Sequence, residues 1–262
     1  MPGTVSKTID TAKVEELRNK VLKDYEEHPD LYHPQDIERF KEDDWYCQRF
    51  LLHLENTPEQ ALKMAKDALQ WRKKFGVSDL HEDNLPTEFF ELGGTIPFNK
   101  DKEGHSIILV KVKLHRKREE EAEDVRRFLV YWVEKLDRMN EGEGITVIYD
   151  CRDSGLSNLD MDVIKFMIDL FKNYYPHTLG YLLVYDMPWL FNAAWKIVKT
   201  WLSKSAVERI KFVSGNEIFD YVDKPMLPVD MGGSTNKEYV YKQGSCGSCL
   251  QPVNVLKEKV AA

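Results

Sequence analysis

Apolar residues recur at helical spacing through roughly the first eighty positions of the chain. Val14, Leu17 and Val21 form one such series, and Phe50 and Leu51 belong to another. Spacings of three and four residues are typical of helices that bury one face. The pattern therefore predicts a small N-terminal helical bundle of four helices: Thr11 to about Glu27, a second from Pro34, a third within 43–56, and a fourth from the cap Thr57 to Phe75, ended by Gly76.

Strands and helices alternate after Asp79. Two strands are predicted around a polar turn at Asn99–Gly104. The segments that follow are predicted as a helix at Glu123–Met139, a buried strand at 144–150, a helix at Asn158–Asn173, a buried strand at 180–186, an amphipathic helix at 188–204 and a strand at 208–214. Such alternation predicts right-handed crossovers and a mixed, largely parallel α/β sheet. The expected organisation is a loose terminus at 1–8, the helical unit at 9–80, the α/β domain at 81–235 and a flexible tail at 236–262.

The helix after Asp186 has an unusual composition for a helix that packs on a sheet. On a helical wheel its apolar residues share about half of the circumference, while the opposite side carries Lys196 and Lys199 with no acidic residue. Ordinary packing on a sheet is one explanation. An apolar side that lines a lipid cavity, or touches a bilayer, is the other.

Charge and motifs exclude several classes of function. A net charge of −7 argues against nucleic acid as a partner, and the N-terminus lacks the apolar segment of a secretory signal, so we expect a cytoplasmic protein. The single CxxC, Cys246 and Cys249, lies in the Gly/Ser-rich tail, where we expect reduced cysteines without a metal.

Catalytic motifs are also lacking. The sequence contains no GxGxxG, no phosphate-binding loop, no HExxH and no GxSxG. Asp150 and Asp186 each end a predicted strand, and we interpret them as capping residues. The sequence therefore predicts no enzyme, no catalytic residue, no metal site and no cofactor other than a bound lipid.

A resemblance to a known family rests on residues 174–233. Tyr175-Pro176 before a strand, Pro188 at the head of the amphipathic helix, and Leu227-Pro228 with Gly232-Gly233 resemble the CRAL-TRIO family of lipid-binding proteins. "DMPWLFNAAWKIVKTWL" and "NEIFDYV" are most similar to the lipid-binding half of motile sperm domain-containing proteins. Those proteins continue into an MSP domain and a membrane anchor, which implies the endoplasmic reticulum if this chain is part of a longer anchored protein.

The resemblance implies an apolar pocket closed by a gate helix, the name used here for residues 188–202. The implied pocket-lining residues are Phe166, Leu170, Tyr181, Leu183, Tyr185, Phe191, Trp195 and Val198. The implied gate and membrane-contact residues are Trp189, Leu190, Lys196, Lys199, Trp201 and Leu202, and the headgroup candidates are His177 and Arg209. His177 replaces the Glu of phosphatidylinositol-binding members, so another phospholipid, or a sterol-like or other apolar ligand, stays open.

Two functions follow as alternatives. The first is non-enzymatic binding, with transfer of a lipid between membranes, by a peripheral protein whose gate helix docks transiently on a bilayer. The second is a protein-interaction or membrane-tethering module that keeps the fold without lipid transfer. Protein partners are not predicted by either pattern.

Overall fold

The computed structural model describes residues 11–53, 57–140, 142–244 and 250–252 of the chain. It divides into two compact units. The first consists of residues 1–79 with 169–178, and the second of residues 80–168 with 179–262. The sequence assigns 169–178 to the α/β domain, whereas the structure packs this segment with the N-terminal helices.

The first unit is the predicted helical bundle. Its helices are α1 (Thr11–Glu27), α2 (Pro34–Glu42), α3 (Asp44–Leu52) and α4 (Pro58–Phe75). The Thr57 side chain accepts a hydrogen bond from the Gln60 amide, and Gly76 ends α4 in the left-handed conformation. Apolar faces of the four helices form one buried cluster. The boundaries predicted from capping residues and periodicity are confirmed.

Two buried arginines hold residues 169–178 within the first unit. Arg72 forms an ion pair with Asp36 at 2.7 Å and donates to the Tyr175 hydroxyl. Arg49 donates to the Pro176 carbonyl at 2.8 Å and to the Thr178 hydroxyl. Because both guanidinium groups lie in the interior, each requires such partners. Their role in the fold is to fix this segment to the helical bundle.

The second unit is built on a five-stranded sheet in the order β1-β2-β3-β4-β5. The strands are β1 (Thr95–Lys100), β2 (Ser106–Lys111), β3 (Ile145–Asp150), β4 (Leu179–Tyr185) and β5 (Ile210–Val213). β1 pairs antiparallel with β2, and the other neighbours are parallel. The predicted mixed, largely parallel α/β fold is confirmed.

Helices connect the parallel strands. They are α6 (Ala122–Met139), α7 (Met161–Asp169), α8 (Asn192–Thr200) and α9 (Lys204–Arg209), whereas α5 (Thr87–Leu92) precedes β1. Strands that follow in sequential order through right-handed crossovers place their connecting helices on one face of a sheet. The opposite face packs on the segment after β5, where Ile218, Val222 and Leu227 are buried against the sheet.

Three predicted boundaries in the second unit differ from the structure. The helix predicted at 158–173 starts at Met161, and its last turn, Leu170–Tyr174, is π-helical. The helix predicted to reach residue 204 ends at Thr200, since Ser203 caps the separate helix α9 through the Ala206 amide. α9 extends to Arg209 and so shortens the predicted strand 208–214.

Part of the predicted flexible tail is ordered. β6 (Lys237–Tyr239) pairs antiparallel with β7 (Leu250–Pro252). The Tyr239 ring packs against the core of the second unit, and Tyr241 stacks on Phe90 with ring centroids 5.1 Å apart. The prediction of a loose tail is therefore wrong for these residues. Cys246 and Cys249 lie outside the described residues.

Candidate functional site

One face of the sheet carries a row of apolar side chains across four strands. Cα register pairs Val110 with Tyr149, Tyr149 with Val184, and Val184 with Phe212. Residues paired in this way point to the same face of a sheet. The first three are only partly buried and Phe212 is 41% exposed. We call these four residues the apolar row.

A second register row lies beside the first, toward the start of the strands. It runs from Ile108 through Val147 and Leu182 to Ile210. Ile108 and Val147 are buried, whereas Leu182 and Ile210 keep accessible surface. Accessible apolar surface therefore follows β4 and β5 from Leu182 and Ile210 to Val184 and Phe212, and so reaches the carboxyl end of the strands. In open α/β sheets this is the end at which ligands bind.

The gate helix contacts this face through one aromatic pair. The Trp195 ring meets the Phe212 ring edge-on, with centroids 4.8 Å apart and planes at 68°. The gate begins with a short 3-10 turn, Trp189–Phe191, and continues as α8. Phe191 and Val198, both predicted pocket residues, are buried. Pro188 stands directly before the 3-10 turn, at its N-cap, and so lies at the head of the gate helix as predicted.

Two cation–ring contacts connect the helices around the face. The Arg126 guanidinium of α6 lies 5.8 Å from the centroid of the Phe166 ring of α7. The Lys165 ammonium of α7 lies 5.8 Å from the centroid of the Trp201 ring, directly after α8. Together with the pair formed by Trp195, these contacts form a chain α6–α7–α8–β5. Phe166, Trp195 and Trp201 are thus brought to one side of the sheet.

Three predicted pocket residues lie on the other face. Leu183 and Tyr185 are buried in the cluster that includes Ile218, and Tyr181 packs at its edge. The Tyr181 hydroxyl donates to Glu103 at 2.6 Å, which raises the pKa of Tyr181 to about 12. Because side chains alternate along a strand, these residues face away from Trp195. The prediction that these three residues line the pocket is therefore wrong. Leu182 and Val184 of the same strand lie on the face toward Trp195 instead.

The remaining pocket and headgroup candidates are dispersed. Leu170 is buried in the first unit, and His177 belongs to the same unit, where its backbone amide donates to the His53 ring. In the second unit, Arg209 donates to the carbonyls of Leu179 and Gly180 at 2.8 and 3.4 Å. Arg209 therefore fastens the end of α9 to the start of β4.

The outer surface of the gate helix is both apolar and basic. Trp189 is 82% exposed and Ile197 is 52% exposed. Lys196 and Lys199 are exposed nearby, and neither has an ion-pair partner within the described part of the chain. Leu190, Trp201 and Leu202 are partly buried. A helical wheel groups Ile197 with the apolar side of this helix, whereas the structure exposes its side chain.

Polar clusters near the sheet have structural partners. Asp150 accepts hydrogen bonds from the Arg152 side chain at 2.8 and 2.6 Å, and these bonds raise the pKa of Arg152. Arg152 also contacts Asp230, so it fastens the closing turn, the name used here for residues 227–233, to the end of β3. Asp150 also accepts from the Arg152 backbone amide at 3.2 Å, which confirms it as a cap of the following turn. Asp186 accepts from the Gly215 amide at 3.1 Å. Asp186 does not cap the helix that follows it, because its partner is the distant Gly215 amide and Pro188 stands at the N-cap.

A second polar cluster centres on Asp101, which accepts from His105 at 2.8 Å and from the Thr146 hydroxyl at 2.6 Å. Burial alone would raise the pKa of Asp101, but these hydrogen bonds outweigh burial and hold it below its usual range. Gly180 is required beside this cluster, because a Cβ there would lie 2.4 Å from the His105 ring. The cluster lies between strands and has the properties of a structural network.

Two further searches concern only the described residues. Within them, no group of three or more His, Cys, Asp or Glu side chains is arranged to hold a metal ion. No helix in the described ranges combines the length and the apolarity needed to cross a bilayer.

Comparison with known proteins identifies the class to which this fold and face belong. The family model of the CRAL/TRIO domain matches residues 90–233, more than half of the chain. The chain therefore belongs to the CRAL/TRIO domain family, as the resemblance indicated. The particular likeness to motile sperm domain-containing proteins stays a prediction.

Individual relatives agree with this class. The chain is 28% identical over 207 residues to the CRAL-TRIO domain-containing protein C3H8.02 of Schizosaccharomyces pombe, which covers 74% of this chain and 46% of the relative. It is 26% identical over 146 residues to the phosphatidylinositol transfer protein CSR1 of Eremothecium gossypii, covering 55% and 34%. The chain thus spans less than half the length of these two relatives.

A solved structure shares the fold across the whole chain. The crystal structure of Sfh5 superimposes with a TM-score of 0.62 at 15% sequence identity, covering 97% of this chain and 99% of Sfh5. At this level of identity the likeness concerns the fold alone.

Proposed function

We propose that this protein binds a hydrophobic lipid on the face of the sheet that carries the apolar row, and transfers it between membranes. The observation that supports the proposal most directly is the accessible apolar surface over Val184 and Phe212, covered by Trp195. A folded protein gains stability by burying such surface. Surface left accessible beneath a helix fits a ligand that completes the packing.

The energetics of a lipid explain why such a face needs a cover. At about 0.8 kcal/mol per CH2 group, exposing roughly 30 of them to water costs more than about 20 kcal/mol. A carrier must therefore enclose the chains almost completely, and open only where a bilayer can receive them. Residues 188–202 are proposed as this gate.

The outer surface of the gate suits a membrane as the docking partner. Trp189 and Ile197 offer apolar side chains for insertion, and Lys196 and Lys199 attract anionic headgroups by about 1 kcal/mol each. Part of this energy is offset by the freedom lost on docking, so contact is weak and reversible. The protein acts in the cytoplasm as a non-enzymatic, peripheral carrier, at the endoplasmic reticulum if it is part of a longer anchored protein.

The name of the relative from Eremothecium gossypii, a phosphatidylinositol transfer protein, supports transfer as the activity. Phosphatidylinositol itself is not proposed as the ligand, since His177 replaces the Glu of phosphatidylinositol-binding members.

The test is lipid capture by the purified chain. Native mass spectrometry of protein isolated from cells is expected to show a bound lipid. Val184→Trp, which adds a bulky ring to the apolar row, is expected to remove that lipid while circular dichroism stays unchanged. A matched variant, Val229→Trp, places the same ring at an exposed position of the closing turn and keeps the lipid. A parent protein that stays lipid-free and refuses fluorescent lipid favours the interaction-module alternative.

A further inference from the structure

Arg126 of α6 has an unusual environment for a charged side chain. Its Nε atom is buried and has no hydrogen-bond partner among the described residues. Its guanidinium lies over the Phe166 ring. Leaving a buried charged donor unpaired costs more than leaving a neutral one unpaired. A ligand atom is one way to supply the missing acceptor.

The neighbouring basic residues are paired, so acidic partners are available in this region. Arg127 lies 3.9 Å from Asp124 and donates to the Asn84 carbonyl. Arg118 pairs with Glu121 at 2.6 Å, and Lys117 with Asp162 at 2.7 Å. Arg126 differs from these residues in turning toward an aromatic ring. Stacking of this kind leaves the N–H groups at the edge of the guanidinium free to donate.

Arg126 belongs to the same end of the second unit as the apolar row. It lies near the start of α6, which follows β2, and the crossover brings this start toward the carboxyl end of the parallel strands. Tyr149 lies one residue before the end of β3, at that same end of the sheet. Topology therefore places an unpaired cation and Tyr149 at one end of an otherwise apolar face.

The Tyr149 hydroxyl is a second polar group without a partner in the described part of the chain. Its side chain keeps accessible surface, yet burial raises its pKa. Strand register places Tyr149 in the apolar row, between Val110 and Val184. Because its side chain keeps accessible surface, its hydroxyl can donate to a ligand that covers this row.

We propose that Arg126 binds an anionic oxygen of the lipid, with the Tyr149 hydroxyl as a second donor. The ligand class is then an amphiphile whose acyl chains cover the apolar row and whose phosphodiester or carboxylate group reaches α6. This inference rests on the proposed function, and it differs from the headgroup candidates His177 and Arg209. Arg126 would set specificity for lipids that carry an oxyanion.

The experiment compares lipids that share acyl chains and differ in the polar group. The delipidated 262-residue chain is incubated with vesicles that contain dioleoylphosphatidylcholine, diolein and oleic acid in equal amounts, and the bound lipid is quantified by mass spectrometry. The parent is expected to enrich one oxyanion lipid over diolein. Enrichment of phosphatidylcholine identifies a phosphodiester site, and enrichment of oleic acid a carboxylate site.

The variants test the assigned residues. Arg126→Gln is expected to lower the enrichment about tenfold, the loss typical of a charge-assisted hydrogen bond, and Tyr149→Phe about threefold, as for a neutral one. Arg127→Gln is the matched control and keeps the parental ratio. Arg126→Lys keeps the charge and is expected to give an intermediate ratio. It provides a second measurement if Arg126→Gln does not fold.

Two results overturn the inference, and they are distinguishable. If Arg126→Gln takes up lipid with the parental ratio, Arg126 does not bind the oxyanion, while the proposed function stands. If the parent takes up none of the three lipids, the proposed function fails and the inference fails with it.

Discussion

The Trp195 ring lies edge-on to Phe212, with centroids 4.8 Å apart, and joins the gate helix to the edge strand of the sheet. Phe212 is the Cα partner of Val184, so this contact covers the end of the apolar row. Since β5 is the last strand in the sheet order, the pair lies where a helix can move away without breaking strand pairing. In the proposed lipid transfer, this contact would hold residues 188–202 closed over the apolar row.

Removing this ring pair should speed lipid release. An aromatic pair contributes about 0.5–1.5 kcal/mol beyond the area it buries, so Trp195→Ala is expected to raise the rate of fluorescent-lipid transfer to acceptor vesicles roughly two- to tenfold. Trp189→Ala removes an equally large side chain that is 82% exposed on the proposed membrane-contact surface, so it should not raise this transfer rate. An unchanged rate for Trp195→Ala would contradict this role of the pair.

Two adjacent leucines of β4 test which face of the sheet is packed in the core and which face binds the proposed lipid. Leu183 is fully buried against the segment after β5, so Leu183→Ala should lower the free energy of unfolding by about 2–5 kcal/mol. Leu182 keeps accessible surface, so Leu182→Ala should cost less than half as much and should reduce lipid capture instead. Urea unfolding and mass spectrometry of bound lipid measure the two effects. Equal losses of stability would show that the two faces are equally packed.

The Asp101 cluster should make stability depend on pH in the acid range. Because the folded-state pKa of Asp101 lies below its usual 3.8, its carboxylate stabilises the fold fully above that value. The contribution disappears as the pH falls through the lowered pKa. Asp101→Asn is therefore expected to cost about 1–3 kcal/mol at pH 7 and progressively less below about pH 4.

The matched control for this prediction is Asp153→Asn. Asp153 is exposed, contacts Lys113 at 3.0 Å and adopts a positive φ that asparagine tolerates well. Unfolding by urea at several pH values should show a nearly constant difference from the parent for this variant. A pH-independent cost for Asp101→Asn would mean that the carboxylate charge contributes nothing.

Local signals account for what the sequence predicted well. The capping pattern of Thr57 and Gly76 depends on neighbouring residues, so the limits of α4 were predictable. Which residues of β4 face the gate helix was not predictable. Both sides of "GYLLVYD" are apolar, so its alternation does not distinguish one face of the strand from the other. Alternation in "RIKFVS", where Ile210 and Phe212 flank Lys211, is the signal that could have separated the faces.

Long-range contacts account for what the sequence did not predict. Residues 169–178 belong to the first unit because Arg49 and Arg72 bind them across more than a hundred positions of chain. Arg126 and Tyr149 were overlooked for a similar reason. Each is ordinary in its own helix or strand, and only the crossover between β2 and β3 indicates that both lie at one end of the sheet.

The burial of Phe191 changes which residues can report on membrane docking. Phe191 is only 5% exposed, so Phe191→Ala would lower the stability of the fold and would not report on membrane docking. The exposed cations of α8 are the better choice, because Lys196 and Lys199 have no ion-pair partner within the described residues and their reversal breaks no internal contact. Each lysine near an anionic bilayer contributes about 1 kcal/mol.

Reversing both charges should abolish the preference for anionic membranes. Lys196→Glu with Lys199→Glu replaces attraction by repulsion at the surface that also presents Trp189 and Ile197. In vesicle flotation, the parent is expected to bind phosphatidylserine-containing vesicles better than neutral ones, and more strongly at low salt than at physiological salt. The doubly reversed protein should bind phosphatidylserine-containing vesicles no better than neutral ones, with unchanged circular dichroism.

The control must change the net charge by the same amount elsewhere. Lys73→Glu with Lys74→Glu does so at the end of α4 in the first unit, where both lysines are exposed. If docking uses the gate helix, this control keeps most of the preference for anionic vesicles. If the two double variants lose it to the same extent, only the total charge matters, and α8 is an amphipathic helix whose lysines are simply solvated. Because the two proteins have the same net charge, the comparison isolates the position of the lysines.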